Sequence, residues 1–194
     1  LSAVSRQAGV GSHHQRFLRV PIEEGRGKLV DLLRDLPERM SIIDVQYGRT
    51  GESPQYPVLG LQGSAPEFAE LDQLLQRRGV DVEDVTRDED AGFRIINYDP
   101  KLFRNPVFVN LEFPERPRAF TEFMMEIRQW ASLCYFNYAY TGERVGRALV
   151  GMDFESEEDR AACMEKLEGL VGKTIRACKR VSAATLRRLT GGIH

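Results

Sequence analysis

Strong charge of either sign is missing from this chain. Its 194 residues carry a formal net charge of −2, which leaves no electrostatic footprint for nucleic acid or an anionic membrane surface. No run of about 18 apolar residues is present to span a bilayer, and no secretory apolar stretch opens the chain. Histidine is scarce. His13 and His14 are adjacent, a spacing that suits neither a helical nor a strand metal pair, and His194 closes the sequence. Cysteine is scarce too: Cys134, Cys163 and Cys178 are an odd, widely spaced set without C-x-x-C. They read as three buried thiols in a reducing cytosol. There is no glycine-rich cofactor motif, no P-loop, no metal-ligand cluster and no histidine placed to activate a cysteine. These absences exclude an enzyme's constellation and point to a part that binds or regulates.

What is present is a soluble, globular composition, 42% apolar and 29% charged, that occurs in two copies. Tyr47-Gly48-Arg49-Thr50-Gly51-Glu52 is answered by Tyr138-Ala139-Tyr140-Thr141-Gly142-Glu143, an offset of 91 residues. The same offset relates Ile22 to Phe113, Glu24 to Glu115, Leu29 to Phe120, Leu32 to Phe123, Leu36 to Ile127, Val45 to Phe136 and Gly60 to Gly151. A fixed offset held this far is a duplicated unit, and it divides the chain into two units of about 75 to 85 residues. The opening Leu1, in place of Met, reads as part of something longer.

Residues 1–15 are small, polar and aperiodic, a linker. Arg16 to Ile22 is a short apolar strand, and Gly25 and Gly27 form a turn that opens onto a helix with Leu29, Leu32, Leu33 and Leu36 on one face, ended by Pro37. Ile43, Val45 and Tyr47 alternate with Asp44 and Gln46 as in a half-buried strand. Tyr56 to Leu61 is a third strand, Pro66 to Arg78 a helix before Gly79, and Val80 to Val85 a fourth strand. The order βαββαβ then repeats. Its second copy has strands at 106–113, 133–140, 147–154 and 174–181, helices at 119–128 and 156–170, and a short basic helix at 184–189. Between the copies, residues 86–105 are expected to contribute an extra strand or short helix around Phe93, Ile95 and Ile96.

Twice βαββαβ is an α+β fold: two tandem ferredoxin-like units, each an antiparallel sheet with two helices on one face. The expected boundaries are 16–90 and 106–192, joined by 91–105. RNA-binding members of this fold need a basic surface and an aromatic Lys/Arg-Gly-Phe/Tyr run on the central strands, and neither is here. Two features suit a small ligand instead. Gly25 and Gly27 bare the backbone N–H groups at a helix start, where an anion such as a carboxylate is stabilised. Tyr47 and Tyr138, at the exits of matched strands, each offer an apolar wall and one hydrogen bond; both also fit as ordinary sheet tyrosines.

Phe113-Pro114-Glu115-Arg116-Pro117, followed by a helix, Tyr135-Phe136-Asn137-Tyr138 and Ala148-Leu149-Val150-Gly151, resembles the carboxy-terminal regulatory region of biosynthetic threonine dehydratase. Val20 to Glu24 with Gly27, and Ile42 to Tyr47, resemble its first repeat, so the resemblance runs over residues 16–191. It implies tandem ACT-like subdomains attached to a pyridoxal-phosphate catalytic domain, absent here, in a dimer or tetramer. It implies feedback inhibition of threonine deamination to 2-oxobutanoate by isoleucine, opposed by valine, in the cytoplasm or in a plant plastid. The effector contacts it implies are Tyr47, Tyr138 and Arg94, and the matching runs add Gly25, Gly27, Glu115 and Asn137. Three positions depart from the family pattern: Ala139 replaces an arginine, Arg118 a glycine, and Asn97-Tyr98-Asp99 a Gly-Gly-Arg segment. Two alternatives stay open, an assembly module of the same enzyme and a stand-alone amino-acid-binding ACT protein.

Overall fold

The structure is a computed structural model that describes residues 13–23, 25, 27–89, 94–114, 116–140 and 145–194. Glu24, Glu115 and Thr141 to Glu143, used above for the repeat, lie outside them, as does Phe93. The first unit comprises β1 (His14–Arg19), α1 (Lys28–Arg34), β2 (Ser41–Gly48), β3 (Val58–Gly63), α2 (Ala65–Arg77) and β4 (Glu83–Asp84). The second comprises β5 (Val107–Pro114), α3 (Ala119–Ile127), β6 (Ala131–Tyr140), β7 (Val145–Phe154), α4 (Glu157–Leu170) and β8 (Ala177–Arg180), followed by α5 (Ala183–Thr190).

Local sequence explains the element ends. Ser64 and Glu67 form a reciprocal capping box at α2, the Ser64 N–H donating to Glu67 at 2.7 Å; such a cap stabilises a helix by about 1 kcal/mol. Ser156 caps α4 by accepting from the Asp159 N–H at 3.0 Å. Glu157, Glu158 and Asp159 then place negative charge in its first turn, where the macrodipole favours it.

The two units share one antiparallel sheet, ordered β4-β1-β3-β2-β6-β7-β5-β8. The seam is β2 against β6: Val45 pairs with Tyr138, Gln46 with Asn137 and Tyr47 with Phe136. Under the 91-residue offset Val45 matches Phe136, Gln46 matches Asn137 and Tyr47 matches Tyr138. The seam is therefore a local two-fold centred on Gln46 and Asn137. Helices cover one face, with α1 and α3 side by side across the seam. Beneath them Val45, Val109, Phe123, Phe136 and Val150 are fully buried, each worth about 1.5–3 kcal/mol of hydrophobic stabilisation.

Several expectations are corrected. β1 starts at His14, two residues inside the expected linker. The fourth strand shrinks from 80–85 to Glu83–Asp84, because Val80 is held at the end of α2 by its N–H on Leu75 O at 3.1 Å. The connection forms a short 3-10 turn at Pro100–Leu102 and no strand among its described residues. Cys134 and Cys163 are buried, but Cys178 on the edge strand β8 is only half-buried. A second core was not foreseen. Phe103, Phe108, Cys134 and Tyr135, with Tyr98, Val181, Leu186 and Leu189 against them, cover the outer sheet face of the second unit with the connection and α5. The Tyr98 hydroxyl ties the two together by donating to Leu189 O at 2.8 Å.

Candidate functional site

The antiparallel seam sets the start of β2 beside the end of β6, so each unit's tyrosine faces residues of the other unit. Tyr138 lies on the helix face of β6, stacked on Phe120 (5.8 Å, 9°) and edge-on to Phe113 (5.9 Å). It lies across Gly146, where a Cβ would sit 2.5 Å from its hydroxyl; only glycine leaves room for the ring. In front of it opens a cavity of about 310 Å³. The second unit supplies the aromatic wall of Phe113, Phe120 and Tyr138 with Arg116 and Tyr140, and the first unit supplies Ser41, Ile42, Ile43 and Gln62, with His13, expected in the linker, beside them.

Chemically this is an apolar slot with a polar rim. Burial, reinforced by Tyr140 and Asp44, pushes the Tyr138 phenol up to about 12, so at neutral pH it is a neutral donor. Arg116 at the mouth pairs with Glu122 at 2.6 Å. The N-terminus of α3 opens here without a side-chain cap, leaving first-turn N–H groups that suit a carboxylate. Arg118 turns away from the cavity and donates to Arg34 O at 3.1 Å and Leu36 O at 2.8 Å. It caps the C-terminal end of α1 and fastens the units together.

The matched site at Tyr47 is different. It is split in two: Gly25 and Gly27 line a cavity of about 30 Å³ with Tyr47 and Arg128, and Gly25 and Tyr47 also line a larger one. The Arg128 guanidinium lies 3.4 Å from where a Gly27 Cβ would be and 3.3 Å from Asp31. The bare glycine turn thus accommodates the side chain of Arg128, which follows the last residue of α3. The larger cavity, about 250 Å³, holds Ser132, Asp153 and Arg49 where the Tyr138 cavity has Ser41, Gln62 and Tyr140, and it is crossed by a buried ion pair, Arg49 to Asp153 at 2.9 Å. Arg49 also donates to Ser132 Oγ at 2.8 Å and Leu133 O at 3.1 Å. Asp153 accepts from the Arg104 and Asn105 N–H groups at 2.9 and 2.8 Å.

Arg94 and Asn137 are brought together, but on the outer face of the sheet. Arg94, at φ 40°, donates to Asp44, to the Asn137 side-chain oxygen and, at 2.9 Å, to Tyr138 O. It joins β2 to β6 directly behind the Tyr138 ring. Burial raises the Asp44 pKa although Arg94 and Gln46 oppose the shift. Glu115 lies outside the described residues. Sequence reasoning missed Ser41, Ile42 and Gln62, which reach the site only through the seam; Gly146 was readable, since the offset matches it to Gln55. Among the described residues no group of three His, Cys, Asp or Glu could hold a metal. Burial pushes the Cys163 thiol up to about 12, far from a reactive thiolate.

A profile described as the C-terminal regulatory domain of threonine dehydratase matches residues 103–179. The mitochondrial threonine dehydratase of Schizosaccharomyces pombe (strain 972 / ATCC 24843) is 23% identical over 156 residues, covering 78% of this chain and 26% of that protein. The chain thus spans about a quarter of that relative's length. A solved structure described as a glycine cleavage system transcriptional repressor matches 88% of this chain and 98% of its own, at 12% identity and a TM-score of 0.32. The resemblance read from Phe113 to Pro117 and Tyr135 to Tyr138 holds over residues 103–179, and the α+β fold class, two βαββαβ units on antiparallel strands, is the one observed. That resemblance supports an allosteric regulatory role.

Proposed function

We propose that this chain is the amino-acid sensor of a threonine dehydratase, binding isoleucine, with valine as the opposing effector, in the cavity at Tyr138. The observation that carries this reading is the cavity itself, about 310 Å³ in volume, at the lower end of the range of ligand sites, roughly 300–1,000 Å³. The branched side chain would pack on Phe113, Phe120 and Ile42, and the carboxylate would face the uncapped start of α3. Ser41 and Gln62 supply polar partners for the ammonium group. Because both units line the cavity, a ligand there binds across the seam and favours one relative placement of the units. Control of threonine deamination to 2-oxobutanoate then follows if the two states of the enzyme bind isoleucine with different affinity.

In this reading pyridoxal phosphate and the catalytic domain lie in cis but outside these residues, in a homo-oligomeric enzyme, dimer or tetramer. Free thiols at Cys134, Cys163 and Cys178 suit a reducing compartment such as the cytoplasm. No described helix is long and apolar enough to cross a membrane. Titration calorimetry of the full-length protein with isoleucine, valine and threonine tests the reading. Saturable heat from isoleucine, lost in Tyr138→Ala but not in a folded surface control, supports it; no heat up to millimolar ligand defeats it.

A further inference from the structure

The β2–β3 hairpin borders a further cavity that the sensor reading does not use. It measures about 340 Å³ and lies between Gln46 to Val58 of the hairpin and the connection at Ile95 to Asn97, with Arg19 of β1 beside them. Gln55 stands in its wall and is 4% exposed. The Gln55 backbone is paired: its N–H donates to Ile22 O at 2.7 Å, and its carbonyl accepts from the Ile22 N–H at 2.8 Å. The side chain is not. Its Nε2 and Oε1 are both buried, and neither has a hydrogen-bond partner among the described residues. Stability alone selects against an unpaired buried amide, so the group calls for a partner from outside the chain.

Two opposite charges border the same cavity. Arg19 pairs with Glu83 at 2.7 Å and lies over the Tyr56 ring, 5.2 Å from its centroid. An exposed ion pair of this kind is worth little, so the guanidinium can turn to a ligand. The Glu52 carboxylate is exposed and has no ion pair among the described residues. Val58 and Ile95 add apolar wall.

We infer that this cavity binds an amino acid with a carboxamide side chain, glutamine or asparagine, at a site separate from the one at Tyr138. A carboxamide offers an acceptor and two donors in one plane, the complement of the Gln55 amide, so the two amides exchange N–H···O bonds in both directions. The ligand's carboxylate faces Arg19 and its ammonium group Glu52. Tyr56, next to Gln55 in the chain and 51% exposed, is the side chain that can move aside to admit it. A carboxylate side chain only accepts; it would meet Nε2 and leave Oε1 unpaired.

Titration calorimetry of the full-length protein with glutamine and asparagine, with glutamate and isoleucine for comparison, tests the assignment. Saturable heat from a carboxamide is expected, with affinity at least tenfold above that of glutamate, kept in Tyr138→Ala and reduced at least tenfold in Gln55→Met. Without ligand, Gln55→Met should unfold at the wild-type temperature or above, because the amide it removes is unpaired. Glu52→Lys, at an exposed position, should weaken binding at least tenfold without unfolding the protein. No saturable heat from either carboxamide in the folded wild type overturns the inference and leaves the isoleucine reading standing. Binding that is as tight for glutamate, that survives Gln55→Met or Glu52→Lys, or that is lost in Tyr138→Ala overturns it too. A Gln55→Met protein that is unfolded or less stable without ligand would show that the amide serves the fold, and overturns it as well.

Discussion

Replacing Gly146 by alanine puts a methyl group where the Tyr138 phenol now lies. The new Cβ would stand 2.5 Å from the hydroxyl and 2.6 Å from Cε2, inside any real contact distance, and the strand backbone is fixed by pairing with Phe113. The ring must therefore leave its stack on Phe120, at 5.8 Å and 9°, and the space open to it is the cavity. Overpacking costs about 1–3 kcal/mol, and the lost aromatic pair about 0.5–1.5 kcal/mol. For a domain of this size about 1 kcal/mol is worth roughly 2–4 °C, so thermal unfolding should fall by several degrees without loss of the folded state. Isoleucine affinity should fall at least tenfold, about 1.4 kcal/mol, because the displaced phenol occupies the ligand's volume. Calorimetry and thermal unfolding on the same samples make the test. A folded Gly146→Ala protein with wild-type affinity would refute the placement of the ligand in front of Tyr138.

Three further outcomes follow from the geometry. Asp153→Ala strands the Arg49 guanidinium in a buried seam and should cost about 3–5 kcal/mol, read as a lower denaturant midpoint. Phe103→Ala removes the centre of the second core, where Phe103 packs against Phe108 and Tyr98; about 3–5 kcal/mol should be lost, with earlier proteolysis at α5. The Tyr138 phenol is raised by burial from 10.0 to about 12, so the folded state holds its proton more tightly than the unfolded chain. That contribution is fully present below pH 10 and is lost as pH rises towards about 12. Denaturant midpoints should decline through that window, and less steeply in Tyr138→Phe.

Much of this architecture was legible from the chain because it is local. The alternation of Val45 and Tyr47 and the leucine face of α1 each fix an element by its own period, whereas the Ser64–Glu67 box, which starts α2 at Ala65, went unread. The duplication was legible because both copies kept their turn and core residues. The seam was not: pairing β2 with β6 joins residues that no local period relates, and it alone carries Ser41 and Gln62 to Tyr138. The contrast between the two tyrosines was hidden for a different reason. Tyr47 and Tyr138 look alike in the repeat, while the cavity at Tyr47 is crossed by the Arg49–Asp153 pair where the one at Tyr138 has Tyr140 and Gln62. Arg118 likewise reads as a residue crowding a turn, until the long side chain is seen to reach the carbonyls that end α1.

A crystal structure of the protein grown with saturating isoleucine tests the central claim most directly. The account predicts ligand density between Tyr138, Phe120 and Ser41, with the carboxylate at the start of α3. Density at Tyr47 instead, or an empty Tyr138 cavity in a protein whose titration saturates, would contradict it.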